Sequence, residues 1–467
     1  MTRTHVIETS TLGDRSYLAD DGDVAVVVDP QRDVDRVLAL AGRLGVRIAQ
    51  VVETHLHNDY VSGGLELARL TGARHAVPAG DGYAFEHVAL AGGEVLEVAP
   101  GLRLRALATP GHTFHHLSYA LEGDAGVEGV FTGGSLLFGT TGRTDLLGDE
   151  HAGELARRQY ASAHALAGTL PGGTVVWPTH GFGSFCSASQ ASGDRSTLDH
   201  ERAVNPVLRL AEDEFVTRTL AGLDAYPAYY AHMGAINAAG PAPVDLRPVP
   251  VAGPEEVRSR LEAGEWVVDL RHRTAYAAGH LAGTISLGLD GSMATWLGWL
   301  LGQGRPVTLL GESPGQVAQA QRELTRIGID RVAAGATGSP DRLATAADQV
   351  RRLPAASFAD LAAALGGEGP VILDVRLAGE WRESHIEGAV HVPLPELTAR
   401  IGEIPPGTVW AHCGSGYRAA AAASLLARAG RDVVLIDDAF TEAGPAGLPM
   451  TAGEPHPITD STYRRPP

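Results

Sequence analysis

The segment Thr54-His55-Leu56-His57-Asn58-Asp59 follows the apolar run Ile48-Ala49-Gln50-Val51-Val52 and precedes Gly63-Gly64. Two histidines and a carboxylate thus crowd the point where a strand is expected to end. Side chains alternate along a strand, so His55 and His57 are expected on one side, where both imidazoles can meet one metal ion. Asp59 can ligate, orient a histidine or act as a base. Histidines scattered in a surface loop would need neither a strand before them nor a glycine pair after them. The pattern therefore reads as a metal-directed strand end.

Four more motifs stand in the chain around it. They are Val26-Val27-Val28-Asp29-Pro30, Thr109-Pro110-Gly111-His112-Thr113, Phe131-Thr132-Gly133-Gly134-Ser135 and Pro178-Thr179-His180-Gly181. Their order resembles the metallo-β-lactamase superfamily, whose signature is H-x-H-x-D-H. The resemblance implies an α/β fold, an αββα sandwich over residues 1–242, with a helical extension from roughly Thr197 to Asn237. This chain departs from the pattern twice. Tyr60 replaces the last histidine of the signature, and Gly134 stands where the fold usually carries the aspartate of T-G-D. Glycine offers no side-chain ligand, so a two-metal hydrolase is not expected.

One ion held by His55, His57 and His112, with Asp59 at hand, is expected instead. The iron-dependent persulfide dioxygenases of the fold use two histidines and one aspartate, matched here by His55, His112 and Gly134. The resemblance implies one divalent metal, iron or alternatively zinc. His180 is a candidate substrate group or a residue behind the ligands, and His115 and His116 read as scaffold or surface. Gly142-Arg143-Thr144-Asp145 resembles a stretch in which an Arg–Asp pair braces the loop. His180-Gly181-Phe182-Gly183-Ser184-Phe185-Cys186 resembles the H-G-x-G-S-x-C stretch of persulfide dioxygenase–rhodanese fusions. Cys186 is either a sulfur-handling thiol on the substrate side or a small apolar wall residue.

Beyond the linker Gly240-Pro241-Ala242-Pro243, two similar units occupy residues 247–348 and 354–453, with a tail over 454–467. The first carries Asp269-Leu270-Arg271 and Gly279-His280-Leu281-Ala282-Gly283. The second carries Asp374-Val375-Arg376 and Ser384-His385-Ile386-Glu387-Gly388. Alternating strands and helices predict a parallel sheet flanked by helices in each. Only the second has Cys413-Gly414-Ser415-Gly416-Tyr417-Arg418, between a strand and a helix. Backbone N–H groups and the helix dipole converge on sulfur in such a turn, and Arg418 can pair with an anion. This resembles the C-x-x-G-x-R loop of rhodanese-type sulfurtransferases. It implies Cys413 and Arg418 as catalytic residues and Gly414, Ser415, Gly416 and Tyr417 as the substrate-binding loop. The first unit has Gly311-Glu312-Ser313-Pro314-Gly315-Gln316 there and cannot form a cysteine persulfide. It reads as inactive, a spacer or docking surface.

Composition narrows the field. All 37 basic side chains other than histidine are arginine, which excludes a P-loop lysine and a Schiff-base lysine; no nucleotide cofactor is expected. A net charge of −18 argues against nucleic acid. No apolar run has membrane-spanning length, the N-terminal residues lack a signal-peptide core, and the two cysteines lie far apart. A cytoplasmic enzyme is the expectation. The whole arrangement resembles persulfide dioxygenase–rhodanese fusions, in which dimers are common. It implies a low-molecular-weight thiol persulfide, sulfite or thiosulfate as partners, with oxidation at the metal and sulfur transfer at Cys413. Three alternatives stay open: a sulfurtransferase alone with a persulfide-binding sandwich, a single-metal thioester hydrolase of the glyoxalase II type, and a non-enzymatic sulfur-relay scaffold.

Overall fold

The computed structural model describes residues 2–189, 193–302, 304–366 and 369–454; from residue 455 on, the expected tail lies outside them. The chain divides into two compact units. One runs to Asp245 and takes in Glu323–Gly328; the other holds Leu246–Arg322 and the residues from Ile329 on. Among the described residues no helix is long and apolar enough to cross a membrane.

The first unit is a sandwich of two six-stranded sheets. One sheet orders Arg3–Thr9, Asp14–Asp20, Val24–Val28, Arg47–Val52, Arg74–Pro78 and Val88–Leu90. The other runs Ser196–Thr197, Val175–Pro178, Gly126–Gly133, Leu117–Gly123, Leu102–Ala108 and Val95–Ala99. Alternation assigns the faces. Val26 and Val28 face the centre with Tyr17, Leu104, Tyr119 and Phe131. Ala25 and Val27 point outward, under Val37 and Ala41 of helix Asp35–Leu44 and Leu67 of helix Gly64–Thr71. On the far side, Ala120, Val130 and Val176 receive Ala156, Ala163 and Leu166 of helix Asp149–Thr169. The layers are therefore αββα. Val24–Val28, Arg47–Val52 and Arg74–Pro78 pair in parallel through the two crossover helices. Parallel pairing sends Asp29 and the His55–Asp59 segment out at the same edge of the sheet.

The second unit contains two parallel sheets. One orders Ile285–Ser286, Trp266–Asp269, Val307–Gly311 and Val332–Thr337. The other orders Ala355–Ala356, Val433–Ile436, Val409–His412, Val371–Asp374 and Val390–His391. The sequence signature shared by the two repeats is scaffold. Arg271 Nη2 donates to Asp269 Oδ2 at 2.6 Å and to the Gly279 carbonyl at 2.8 Å. Arg376 repeats this with Asp374 at 2.5 Å and the Ser384 carbonyl at 2.7 Å. His280 stacks on Tyr276 and His385 on Trp381, each with Nδ1 on that residue's carbonyl.

Asp374 is fully buried and Arg376 nearly so. Burial alone would raise the Asp374 pKa, but His412 and Arg376 outweigh it and hold the carboxyl below its usual range. Its contribution to stability is therefore present above its unfolded pKa and lost as pH falls through the lower folded value. Asp374→Asn should cost the second unit about 3–5 kcal/mol, because Arg376 keeps a buried, uncompensated charge. Chemical denaturation at neutral pH measures the loss, and the difference between wild type and variant should shrink as the buffer is acidified below that folded value.

Candidate functional site

The polar ends of the strands meet at one edge of the sandwich. Asp29 is buried, and its backbone is in the left-handed region at φ 51°. Its carboxylate accepts the Thr54 N–H at 2.7 Å and the Thr54 hydroxyl at 2.7 Å, and the Thr179 hydroxyl as well. A hydroxyl has one proton, and that of Thr54 goes to the carboxylate. His55 Nδ1, 2.8 Å from the same oxygen, must therefore be the donor, which leaves His55 Nε2 a bare acceptor. His112 Nδ1 donates to the Arg143 carbonyl at 2.7 Å, so its Nε2 is bare too; buried, it has no hydrogen-bond partner among the described residues. His180 Nδ1 faces Asp14 at 2.9 Å and Asp59 at 3.1 Å. Its Nε2 lies 3.3 Å from His55 Nε2.

His55, His112 and His180 thus bring one ligand atom each to within 4.8 Å of one another, and all three are buried. His57 turns elsewhere. Its Nε2 lies 3.2 Å from both Asp29 and Glu53 and 3.0 Å from the Tyr60 hydroxyl, and its ring stacks on Tyr60. The set expected from the sequence was His55, His57 and His112; the structure gathers His55 and His112 with His180. The alternation argument fails here because the strand ends at Val52, and His55 and His57 lie in the turns beyond it. His57 also falls in two other compact groups, with Asp59 and His180 and with Asp29 and Glu53.

Charge divides the imidazoles into two kinds. Burial lowers His180, but Asp59 and Asp14 outweigh it and raise the pKa to about 10. Burial likewise opposes charge on His57, which Asp29 and Glu53 raise to about 9. Burial and neighbouring imidazoles depress His55, and burial with His180 takes His112 to about 3. The Nε2 atoms of His180 and His55 face each other, and a metal shared by the two would have to displace any proton between them.

One support was not legible in the sequence. Asn237, on helix Tyr230–Ala239, donates to the carbonyls of His57 and Tyr60 at 2.8 Å each, and accepts the Ser62 N–H. His116 is scaffold: its Nε2 accepts the Gly134 N–H at 3.1 Å. His115 is surface, on Asp81 at 2.7 Å. Arg143 and Asp145 form the expected pair, with two 2.7 Å bonds, and the guanidinium lies 4.5 Å from the Tyr226 ring centroid. Cys186 is buried, and burial, Asp59 and Asp14 push its thiol well above its ordinary pKa.

In the second unit Cys413 is buried at the end of strand Val409–His412, and helix Tyr417–Arg428 starts after Gly416. Arg418 makes a two-point pair with Glu380, at 2.5 and 2.7 Å. Its charge is thus committed in part before any substrate arrives. The repeat without a loop cysteine holds this helix along one stripe. Tyr417 donates to the Gly288 carbonyl at 2.8 Å, the Ser286 N–H donates to Ser424 Oγ at 3.1 Å, and Arg428 donates to the Gly264 carbonyl at 2.6 Å. Arg273 of that repeat pairs with Asp437 at 2.5 Å beside the loop. The repeat thus braces the helix that follows the Cys413 loop. Gly416 has φ +89°, and a Cβ there would lie 2.3 Å from Asp437 Oδ1. Gly416→Ala should cost the second unit about 1–3 kcal/mol of backbone strain. It should also change the rate at which iodoacetamide alkylates Cys413, read by mass spectrometry.

Comparison with known proteins agrees with this architecture. The metallo-beta-lactamase superfamily model matches residues 13–180, and the rhodanese-like domain model matches residues 357–443. The human mitochondrial persulfide dioxygenase ETHE1 is 31% identical over 210 residues, 44% of this chain and 74% of that protein. A hydroxyacylglutathione hydrolase of Anaeromyxobacter dehalogenans is 34% identical over 221 residues, 42% of this chain and 81% of that protein. The crystal structure of a metallo-beta-lactamase from Staphylococcus aureus subsp. aureus COL superposes with a TM-score of 0.64 at 26% identity, covering 72% of this chain and 99% of that one. With a metallo-beta-lactamase domain and a rhodanese-like domain in one chain, and a persulfide dioxygenase among its relatives, the chain belongs to the metallo-β-lactamase-fold persulfide dioxygenase–rhodanese fusion family.

Proposed function

We propose that this protein is a sulfane-sulfur enzyme with two working sites. In the first unit a low-molecular-weight thiol persulfide is oxidised at a single iron ion, R–S–SH + O₂ + H₂O giving R–SH, sulfite and two protons. In the second, Cys413 attacks the outer sulfur of a persulfide or thiosulfate. One S–S bond forms as another breaks, the thiolate or sulfite leaves, and Cys413–S–S⁻ passes its sulfur to sulfite or another thiol. The observation that carries this reading is the presence, in one chain, of three imidazoles with bare or shareable Nε2 atoms and a buried cysteine at a helix start.

The residues present fit a metal. His112 Nε2 is buried without a partner, and each of the three rings has its Nδ1 held by a neighbour. When bound, the ion supplies a template and redox centre for the persulfide and O₂. The chain's own groups do the rest. Asp14 and Asp59 orient His180, and Thr54 orients His55. Cys186, held as a thiol, is a polarisable wall beside Asp59 on the substrate side. In the second unit the Gly414–Tyr417 backbone receives the persulfide anion. Arg418 balances its charge within the Glu380 pair, as a hydrogen-bonded guanidinium does for an oxyanion. Two free thiols suit a reducing compartment, and a cytoplasmic setting is part of the proposal.

The hydroxyacylglutathione hydrolase relative favours one other reading, thioester hydrolysis at a single metal. Gly134 and Tyr60 at the usual ligand positions speak against a two-metal form of it.

Protein purified without oxygen should contain iron near one equivalent and consume O₂ on a thiol persulfide with sulfite appearing in step. His55→Ala and His112→Ala should abolish both. Cys413→Ser should abolish thiosulfate-to-thiol sulfur transfer and leave O₂ uptake intact. Hydrolysis of an acyl-thiol under anoxia, without O₂ uptake on persulfide, would replace the oxygenase reading with the hydrolase.

A further inference from the structure

We propose that the metal is held by three imidazoles, His55, His112 and His180, with His180 taking over the place in the ligand set that the missing carboxylate leaves. The inference rests on the metal-centre reading above and assigns its ligands.

Three observations carry it. The first is spacing. Two ligands at about 2.0–2.1 Å from a tetrahedral ion are separated by about 3.3–3.4 Å. His55 Nε2 and His180 Nε2 are 3.3 Å apart. The second is the set of groups behind the rings. Thr54 Oγ holds His55, the Arg143 carbonyl holds His112, and Asp14 with Asp59 holds His180. A carboxylate behind a ligating histidine fixes the ring and raises its basicity. Asp59 has this place behind His180 instead of acting as a ligand in its own right.

The third is steric. A Cβ on Gly134 would lie 2.2 Å from His112 Cδ2, and one on Gly142 would lie 2.7 Å from His112 Nδ1. The His112 ring is seated between two glycines. No aspartate can stand at residue 134 while His112 keeps this position. Loss of the carboxylate and the seating of the ring are therefore one structural change, and the third ligand has to come from elsewhere. His57 directs its Nε2 into Asp29 and Glu53, and although its Nδ1 is buried without a partner among the described residues, the residue groups with Asp59 and His180 or with Asp29 and Glu53, not with His55 and His112. Three neutral imidazoles leave a divalent ion its full charge, which favours an anionic sulfur donor such as a thiolate or persulfide at the open position. Imidazole ligation of this kind suits zinc, iron and other first-row divalent ions.

The test is titration of metal-stripped full-length protein with Co²⁺ and Zn²⁺, by calorimetry and by the visible spectrum of the cobalt form. Wild type should bind one equivalent. His180→Ala and His180→Gln should lower the affinity by more than the about 10–100-fold expected for loss of a group behind a ligand, and Asp59→Asn should fall within that range. His57→Gln should keep the affinity and the cobalt spectrum. Gly134→Asp should weaken binding, since it must eject His112; circular dichroism of each variant checks that the fold is retained. Undiminished affinity in both His180 variants, or tighter binding in Gly134→Asp, would overturn the ligand set while leaving a metal centre in place. Absence of any bound metal in wild type would overturn the metal-centre reading and the ligand set together.

Discussion

Asp29 is the constraint on which the functional edge of the sandwich depends. Its amide donates to the Val52 carbonyl across the parallel strands. Its carbonyl takes the Ser16 hydroxyl, and its carboxylate takes Thr54, Thr179 and the His57 imidazole. Thr54 and Thr179 adjoin His55 and His180, so one buried carboxylate sets the position of two convergent rings that come from different sheets. Such a group is costly to bury unless every oxygen is satisfied, and here four donors meet it. Its backbone, in the left-handed region, is the only positive φ at a non-glycine among the described residues. Strain of about 1–3 kcal/mol persists only where surroundings over-determine it, as they do here.

The same neighbourhood sorts the histidines by their partners. Carboxylates beside His57 and His180 push their pKa up, whereas burial and neighbouring imidazoles push those of His55, His112 and His116 down. Environments that push identical side chains apart in this way give one residue type several roles within a few ångströms. Rings favouring charge and rings favouring the neutral form therefore lie side by side in one cluster.

In the second unit the duplicated motifs and the chemistry separate. Asp-x-Arg and the histidine turn recur because each repeat must brace the same strand end, with the arginine reaching the same kind of carbonyl in both. The loop between strand and helix is free of that duty and has diverged. In one repeat it carries Cys413. In the other Gln316 closes it, accepting the Glu312 N–H at 2.7 Å. The repeat without a thiol is nonetheless tied to the working helix through Tyr417, Ser424 and Arg428, whose spacing puts them on one helical face.

Motifs whose chemistry is local were legible in the sequence. The alternating strands and helices and the two Asp-x-Arg repeats pointed to the parallel α/β units, because strand alternation and turn composition act over a few residues, and the ordered motifs carried the resemblance that implied the αββα sandwich. Cys413 at a glycine-rich strand-to-helix turn was legible for the same reason. The different surroundings of His57 and His180 were not. Alternation placed His55 and His57 together only if the strand continued, and it ends at Val52. Past that point the direction of each ring is set by groups remote in the chain: Asp29 and Glu53 for His57, Asp14 and Asp59 for His180, the Arg143 carbonyl for His112. The role of Asn237 and the exclusion of any side chain at Gly134 belong to the same class. They are facts about which surfaces meet, and burial and hydrogen bonding in the folded chain determine that, not spacing along it.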